Sequence, residues 1–413
     1  LRPILCPLPL CATTPTSGDI FGAWPAARDL TLIERGMAHM GWADPKKEEP
    51  LVIRPDIIIV SNPRAGNGKA VKYVQRLVNA AALMAGNGDL RFEGDISLVM
   101  TDANLDQRIM KIKEAIISKA SGLPPYVIAV GGDGTFADVG TAALQTLRAG
   151  FKSVIIPAPA GTARDMSREL GVPRNPAMLF RFLAEAVPIK LGAISVWFDG
   201  GPERLLMHSM GFGVSGAVFH EVQKFRDKGG GVTVASYLRS LARGVYETEP
   251  FYVSVNGASR VAVGEVLTLF NSTSVGGVTR VPLPIHGGRI HLIPVDVHRR
   301  GLFQLEQGIT ALGDVFGRGM LYMLGQQRVI SPGEEIPVLS GQYTIDVLQG
   351  DGREIEFTNA SGRTHQVKGL LNGDTIGDVG SIFMKNTGEM IDSLASPNCG
   401  FLIRKGEKPP SFY

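Results

Sequence analysis

Residues 126–140 read YVIAVGGDGTFADVG, and their character changes at the first glycine. The apolar run 126–130 predicts a buried strand, and the small and apolar residues that follow predict a helix over about 136–149. Between them, three glycines surround Asp133. Glycines let a backbone approach a ligand closely, and a carboxylate is not buried cheaply without a partner. We therefore expect a metal, a phosphate or a hydroxyl group to bind here; the alternative is that Asp133 and Thr135 only cap the helix.

The segments around this stretch repeat the alternation of strand and helix. Further strands are predicted at 56–60 and 96–101, each followed by an amphipathic helix. This alternation is typical of an α/β domain with a mostly parallel sheet, and we assign it residues 51–190. Over residues 191–385, short alternating segments predict the antiparallel strands of a sandwich or barrel. Two helices are predicted within this second part, at 232–244 and 301–324.

The two ends of the chain lack this pattern. Residues 1–50 start with a Pro-rich stretch and contain one short amphipathic helix over LTLIERGMAHMGW, so they are predicted to be an extension. Residues 386–413 are predicted to be a C-terminal tail. The opening LRPILCPLPLCATTPTSG has one Arg and no acidic residue, which is typical of a protein imported into an organelle, although an incomplete start explains it as well. We expect a mitochondrial location, with a cytoplasmic protein at a membrane surface as the alternative.

The composition is that of an ordinary globular protein. The chain has 413 residues, of which 44% are hydrophobic and 20% charged, so two domains are expected. The net charge of +3 gives no reason to expect nucleic acid as a partner. Three cysteines without metal-binding spacing favour a reducing compartment. No apolar run reaches the roughly 18 residues of a spanning helix, so any membrane contact is expected to be peripheral.

The turn SNPRAGNGKA, residues 61–70, also follows a predicted strand and opens a helix. It offers backbone N–H groups, the positive end of a helix and Lys69, a combination that suits a phosphate. It is not a Walker A loop, because Ala70 follows Lys69 where that motif needs Ser or Thr.

A third turn, PAGTARDMSREL at residues 159–170, places Gly161, Thr162 and Asp165 at the start of another helix. The carboxyl ends of parallel strands lie at one edge of the sheet, so the three turns are expected to converge. Together they predict a nucleotide site and phosphoryl transfer as the class of reaction.

The motifs NPRAG, GGDGT and PAGTARDMSRELG, in this order and before a β-rich half, resemble the diacylglycerol kinase catalytic-domain family, which includes sphingosine, ceramide and acylglycerol kinases. The resemblance covers about residues 54–385 and is looser in MGFGVSGAVFHEVQKFR, GGVTRVPLPIHGGRIHLIPV and LLNGDTIG. It implies a Rossmann-like α/β nucleotide domain followed by a β-sandwich-like (α+β) second domain. ATP and Mg²⁺ would then bind in the cleft, and the second domain would hold a lipid.

The turns and the resemblance together imply roles for individual residues. Asp133 would bind Mg²⁺ or act as the catalytic base, and the sequence does not separate these roles. The residues expected to bind ATP are Asn62, Gly66, Lys69, Gly131, Gly132, Gly134, Thr135, Gly161, Thr162, Arg164 and Asp165.

Five positions depart from the family pattern, the first being Ala163, which stands where the family usually has a glycine. Arg164 stands where the family usually has an asparagine, and it could still pair with a phosphate. Lys190, Ser215 and Asn372 stand where the family commonly has aspartates. Three altered acidic positions predict that catalysis is weakened or lost while the ATP-binding turns persist.

Asn372 is the most informative of these departures. It takes the place of the aspartate that is proposed as general base in bacterial members of the family, and an amide cannot accept the hydroxyl proton. Asp374 lies two residues further on and is the expected substitute as a catalytic residue. The other interpretation is a shifted alignment onto the Asp351-Gly352 pair.

These features predict a lipid-kinase-family protein with weakened or lost catalysis, retained as a subunit of an organellar assembly that docks through the Pro-rich arm. The first alternative is a fully active kinase that uses ATP to phosphorylate a diacylglycerol, acylglycerol or sphingoid-type lipid. The second is an NAD kinase, which shares the GGDGT turn but is disfavoured by NPRAG and by the missing Asn-Glu pair of that family. The expected partners are a lipid and a membrane surface. The histidines expected to be strand or surface residues rather than metal ligands are His208, His220, His286, His291 and His365.

Overall fold

The computed structural model describes residues 49–63, 65–66, 68–101, 104–120, 122–161, 164–227, 234–257, 261–263, 265–269, 274–275, 279–280, 289–295, 327–330, 342–346, 349–397 and 399. All of its helices and strands belong to one compact unit that begins at Pro50. The helices predicted in the N-terminal extension and at 301–324 lie outside these residues. Within the described ranges, no helix is both long and apolar enough to cross a membrane.

The first half of the unit alternates strands and helices, as the sequence predicts. Its strands are β1 (Leu51–Ile53), β2 (Ile57–Ser61), β3 (Leu90–Phe92), β4 (Ile96–Met100), β5 (Tyr126–Gly131) and β6 (Val154–Pro159). Its helices are α1 (Lys69–Gly86), α2 (Leu105–Lys119), α3 (Asp133–Arg148), α4 (Asp165–Glu169) and α5 (Pro176–Glu185). The short strands β1 and β3 form a parallel pair of their own.

The other four strands of this half form a parallel sheet in the order β4-β2-β5-β6. Strand β2 reads IIIVS and is buried along its whole length, as expected for a central strand whose two faces are covered. The chain moves from β2 outwards to β4 and then crosses to β5 on the other side of β2. Ligands of such sheets bind beyond the carboxyl ends of the strands at this reversal of strand order. The turns that follow β2 and β5 lie at this point.

The second half is rich in strands. Its helices are α6 (Val214–Asp227) and α7 (Val234–Glu247), the second of which was predicted at 232–244. Its strands are β7 (Val187–Phe198), β8 (Arg204–Leu206), β9 (Ser209–Gly213), β10 (Phe251–Val255), β11 (Val261–Val263), β12 (Glu265–Leu269), β13 (Ser274–Val275), β14 (Thr279–Arg280), β15 (Arg289–Val295), β16 (Gln327–Ile330), β17 (Gln342–Asp346), β18 (Gly352–Thr358), β19 (Val367–Leu371), β20 (Asp374–Val379) and β21 (Ser381–Ala395).

Two sheets share one core in this half. One is a seven-stranded sheet that includes β9, β12, β15, β19 and β20, and the other includes β10, β18 and β21. The rings of Phe212 on β9 and Phe357 on β18 lie 5.0 Å apart between centroids, so side chains of the two sheets are in contact. Apolar side chains that meet between two sheets are typical of sandwich packing. The sheet-rich second part predicted by the sequence is therefore present.

Strands β7 and β21 pair along nearly their whole length and form a two-stranded ribbon that connects the two halves. At one end of this ribbon, Leu191 and Ile391 belong to the core of the first half. At the other end, Val196 and Met384 belong to the core of the second half. The last part of β21 also pairs in parallel with β6, so a ten-stranded sheet runs through both halves.

The ribbon differs from the domain limits drawn on the sequence. The limit at residue 190 falls within β7, and residues 386–395, which were assigned to a tail, lie within β21. A strand that passes from one core to another stays extended throughout, so no turn in the sequence marks the boundary.

Helix α6 packs closely against β19 through Gly216. A Cβ placed on Gly216 would collide with the backbone carbonyl oxygen of Lys368, which cannot move away as the end of a flexible side chain would. Strand β19 leads into the β19–β20 hairpin, so this close approach helps to set the position of the hairpin tip.

We expect Gly216→Ala to destabilise the fold by about 1–3 kcal/mol, because the added methyl group overpacks the α6–β19 contact. Gly86→Ala is the matched control: it lies at the end of α1 with nothing near its Cβ position, and alanine favours a helix by up to about 1 kcal/mol. Urea denaturation of both variants measures the difference. Equal stabilities would contradict the close packing of α6 on β19.

Candidate active site

The three glycine-containing turns meet at the carboxyl edge of the parallel sheet. The N–H of Asn62, after β2, donates to the carbonyl of Val130 in β5 at 3.2 Å. A Cβ on Gly66 would lie 2.6 Å from the carbonyl oxygen of Ala160, and a Cβ on Gly161 would collide with the backbone of Gly132. These two glycines therefore allow the turns to touch one another, and the predicted convergence is present.

Gly132 and Gly68 differ from these packing glycines because their outer faces are open. A Cβ on Gly132 would have only the Cα of Gly161 nearby, at 3.9 Å, and a Cβ on Gly68 would have nothing within 4 Å. Gly132 is also the N-cap of α3, whose first N–H groups lack helical partners and carry a partial positive charge. Lys69, the first residue of α1, is exposed. A phosphate can approach the backbone at this place.

The other predicted ATP-binding residues have different surroundings. Thr135 is buried and covers Gly131, where a Cβ would collide with its side chain. Arg164 has a positive φ of 60°, and burial together with the nearby Arg174 and Arg168 lowers the pKa of its guanidinium. Thr162 lies outside the described residues.

Asp133 connects the GGDGT turn to the turn at residues 159–170 by hydrogen bonds. Its carboxylate accepts hydrogen bonds from the backbone N–H of Met166 at 3.0 Å and of Asp165 at 3.3 Å, and the side chain is buried. Burial raises the pKa of this carboxyl group, while His208 and the two N–H donors act against that rise. Asp133 therefore caps the short helix α4 rather than facing the open side of the turn.

Asp133, Asp165 and His208 form a buried cluster whose possible ligand atoms all lie within 4.8 Å of one another. The Nε2 of His208 lies 3.5 Å from Asp165, which also faces Arg168 at 3.5 Å. Mg²⁺ prefers oxygen ligands and keeps several waters, whereas this cluster contains an imidazole and is closed to solvent. The cluster therefore fits Mg²⁺ poorly, and the contacts of Asp133 favour a structural role over the expected magnesium role.

His208 was expected to be a strand or surface residue, but its side chain is buried in this cluster. It lies between β8 and β9, and its Nδ1 is 2.9 Å from the hydroxyl of Ser209. Its contact with Asp165 joins residues 43 positions apart, which is the difference of the two residue numbers. No local spacing in the sequence signals such a contact.

Asn372 is a turn residue in this structure. Asn372 and Gly373 have φ values of 49° and 87° and connect β19 to β20, as in the two-residue hairpin turns that favour Asn-Gly. The side chain is buried, with Oδ1 accepting from the N–H of Met207 at 3.0 Å and of His208 at 2.9 Å. Its Nδ2 donates to the carbonyl of Leu205 at 2.7 Å. An amide suits these three partners, and the residue does not face an open site.

Asp374 is the exposed carboxylate of the hairpin and lies against the start of α3. A Cβ placed on Gly134 would collide with the Asp374 carboxylate, so only glycine allows this approach. Of the two predicted catalytic residues, Asp133 is thus buried beneath the turns, and Asp374 is presented at their open edge.

The remaining departures from the family pattern have other positions. Lys190 on β7 forms an ion pair with Asp392 on the neighbouring strand β21, at 2.6 Å. Ser215 is half-buried in the first turn of α6. Asp351, the alternative Asp-Gly aspartate, lies just before β18 and pairs with Arg353 at 3.2 Å. Lys190 and Asp351 therefore each have a local structural partner.

A second charged group lies one helical turn beyond Gly134. Asp138 is buried on α3 and forms an ion pair with Arg108 on α2 at 3.3 Å. Burial raises its pKa to about 7; Arg108 and Arg204 lower it, and Asp374 raises it further. Neither Asp138 nor Arg204 belongs to a motif, so sequence reasoning missed both.

Comparisons with known proteins agree with this geometry. Residues 56–195 match the family model of the diacylglycerol kinase catalytic domain. Two diacylglycerol kinase-like structures from Bacillus anthracis str. Sterne are similar in fold, with TM-scores of 0.51 and 0.50. Each is 17% identical, and each comparison covers 83% of this chain and 97% of that chain. No curated protein sequence matches the chain.

The fold and the convergent turns agree with the match to this family model. Residues 56–195 match the diacylglycerol kinase catalytic domain, so the resemblance predicted from the motifs is confirmed for this part of the chain. A domain of this kind implies ATP-dependent transfer of a phosphoryl group, generally with a divalent metal ion. At 17% identity the solved structures support the fold of the remaining chain and nothing finer.

Replacing two glycines of the turns by alanine is expected to affect different properties, ATP affinity in one case and stability in the other. Gly132→Ala places a methyl group on the open face, so the fold should remain stable within about 0.5 kcal/mol while ATP affinity falls about tenfold or more. Gly161→Ala overpacks the contact between two turns and should lower stability by about 1–3 kcal/mol. Thermal unfolding and calorimetric ATP titration separate the two effects. An unchanged ATP affinity in Gly132→Ala would place the phosphates elsewhere.

The pKa of Asp138 predicts a pH-dependent stability. Its folded-state pKa of about 7 lies above the ordinary 3.8, because burial disfavours the charged carboxylate. The folded protein therefore loses stability as the pH rises from 3.8 towards 7. The side chain introduced by Asp138→Asn stays neutral at every pH. The free energy of unfolding of this variant, relative to that of the wild type, should therefore increase by up to about 3 kcal/mol between pH 5 and pH 8. Urea denaturation at both pH values measures this change. A constant difference between the two proteins would contradict the raised pKa.

Proposed function

We propose that this protein transfers the γ-phosphoryl group of ATP to a hydroxyl group of a lipid, of the diacylglycerol, acylglycerol or sphingoid class. The observation that carries the proposal is the contact of the exposed Asp374 carboxylate with Gly134 of the GGDGT turn. It brings a carboxylate from the second half of the chain to the turn at which ATP is expected to bind.

The nucleotide half of the proposal rests on the open faces of Gly132 and Gly68 and on the first N–H groups of α3. Backbone donors at a helix start bind phosphate without a change in the fold. Thr135 and Gly161 support the same edge by packing, because they fix the turns against each other.

For the reaction of the lipid acceptor, the proposal assigns Asp374 as the general base. The lipid hydroxyl gives its proton to the Asp374 carboxylate while its oxygen forms a bond to the γ-phosphorus. The bond between that phosphorus and the bridging oxygen breaks, and its electron pair leaves with ADP. A positioned base of this kind contributes about 10² to 10⁴ in rate.

Two of the departures that suggested lost catalysis have local reasons. Lys190 pairs with Asp392 on the neighbouring strand of the ribbon. Asn372 satisfies three backbone groups and holds the hairpin tip from which Asp374 reaches Gly134. The base is proposed to lie two residues beyond its usual place.

A second candidate function is a kinase fold retained as a non-catalytic subunit, with residues 1–50 docking on an organellar partner. One observation favours it: the Asp133 carboxylate is buried and occupied by two backbone N–H groups, so it does not face a metal or a hydroxyl in the cleft. The mitochondrial location and the peripheral membrane contact remain predictions. The domain match supports a lipid kinase rather than the NAD kinase alternative.

We expect Asp374→Asn to lower the turnover of lipid phosphorylation by about 10² to 10⁴, because the amide cannot take the hydroxyl proton. The affinity for ATP should change by less than about threefold, since the phosphates bind to the turns. The measurement is transfer of labelled γ-phosphate from Mg-ATP to vesicles that contain diacylglycerol, monoacylglycerol or a sphingoid base. Asp378→Asn, on the same strand and also exposed, is the matched control and should behave as the wild type.

Two results would count against the proposal in different ways. Full activity of Asp374→Asn would remove this residue as the base. A wild-type protein that binds ATP but phosphorylates no lipid of the panel would favour the non-catalytic subunit instead.

A further inference from the structure

Arg204, the first residue of β8, is a half-buried arginine without a direct partner. Within the described parts of the chain its guanidinium makes no hydrogen bond and no close ion pair. Two other arginines are engaged by carboxylates: Arg148 binds Glu203 and Glu389, and Arg353 binds Asp351. A guanidinium carries five N–H donors, and because Arg204 is partly exposed, these donors are open to solvent or to a ligand.

The charges around Arg204 locate it beside the proposed reaction. Burial is the largest influence on its pKa and lowers it, and Arg108 acts in the same direction. Asp138, Asp374 and Asp106 act against this lowering. Arg204 thus lies near the proposed base Asp374 and near the buried Asp138 on α3, but it forms a close ion pair with neither carboxylate.

One hydrogen bond connects the chain segments that carry Arg204 and Asp374. The Nδ2 of Asn372 donates to the carbonyl of Leu205, the residue after Arg204, at 2.7 Å. Asp374 follows Asn372 by two residues and covers Gly134. Strand β8 in turn packs against α3. The guanidinium and the carboxylate therefore approach α3 from strands of two different sheets.

We propose that Arg204 is a catalytic residue that donates hydrogen bonds to the phosphoryl group while it is transferred. The proposal rests on the proposed function. The oxygen that gives its proton to Asp374 is the same oxygen that bonds to the γ-phosphorus, so a group beside Asp374 lies next to the phosphoryl oxygens. Arginine suits this task because its planar donors match phosphate oxygens and its charge is permanent.

Arg204 changes neither the atom balance nor the protonation of the reaction. The proton passes from the hydroxyl to Asp374, the new oxygen–phosphorus bond forms, and ADP leaves with the electron pair. Arg204 stays protonated throughout. Its hydrogen bonds offset the negative charge of the phosphoryl oxygens, which are carried past it between ADP and the acceptor.

The test compares Arg204→Gln, Arg204→Lys and Arg204→Ala with the wild type, using an uncharged diacylglycerol as acceptor so that the acceptor has no phosphate of its own. We expect Arg204→Gln to lose about 10² to 10³ in turnover, with ADP affinity changed by less than about threefold. Arg204→Lys should recover only part of the rate. Arg91→Gln, an exposed arginine on β3, is the control and should be unchanged.

Two further readouts separate a catalytic from a structural role. Millimolar guanidinium should restore part of the activity of Arg204→Ala and leave Arg204→Gln unaffected. The wild type should bind ADP with aluminium fluoride more tightly than ADP alone, because the fluoride complex resembles a phosphoryl group in transfer. Arg204→Gln should lose that gain.

The outcomes distinguish this inference from the proposed function. A wild type that phosphorylates lipid, with an equally active Arg204→Gln, overturns the inference alone. A wild type that phosphorylates no lipid but shows the Arg204-dependent gain with aluminium fluoride overturns the lipid acceptor and supports the inference. A wild type that binds ADP no more tightly with aluminium fluoride than without it overturns the inference. If Arg204→Gln loses stability and guanidinium does not restore the activity of Arg204→Ala, the residue has a structural role.

Discussion

The pairing of β7 with β21 is the constraint on which the rest of this structure depends. The ribbon carries apolar side chains of both cores and continues the parallel sheet through β6 into the second half. The nucleotide turns belong to the first half, whereas the hairpin with Asp374 belongs to the second. Because shared strands join the halves, the contact between Asp374 and Gly134 is part of the fold and does not depend on a flexible linker.

Buried polar groups add specificity to this framework. Asp133 holds the start of α4, and Asn372 holds the segment between β8 and β9. Each satisfies backbone N–H groups that would otherwise be buried without a partner, at a cost of about 1–3 kcal/mol per group. His208 connects the two sets, because its backbone binds Asn372 and its ring faces Asp165. The two halves of the active-site region are therefore linked by hydrogen bonds as well as by the ribbon.

A departure from a family motif need not be a loss of chemistry. At position 372 an amide is required by one carbonyl and two N–H partners, and a carboxylate would face the carbonyl of Leu205 without a proton to donate. At position 190 a lysine replaces an expected aspartate and pairs with Asp392. In both cases the surrounding contacts explain the residue, and the neighbouring Asp374 keeps an exposed carboxylate in the cleft.

The sequence by itself determined the local elements of the nucleotide half. Short, continuous apolar runs such as β2 and β5, each followed by glycines, favour buried strands that end in turns. In an alternating α/β pattern the carboxyl ends of such strands lie at one edge of the sheet, so the convergence of three turns followed from the rules of parallel sheets. The tertiary structure alone decided which carboxylate faces outwards. Asp133 and Asp374 look alike as letters, yet one is buried by contacts with α4 and His208, and the other is held in the open by Asn372 and the β19–β20 turn. Those contacts join residues that are distant in the chain, and no local pattern encodes them.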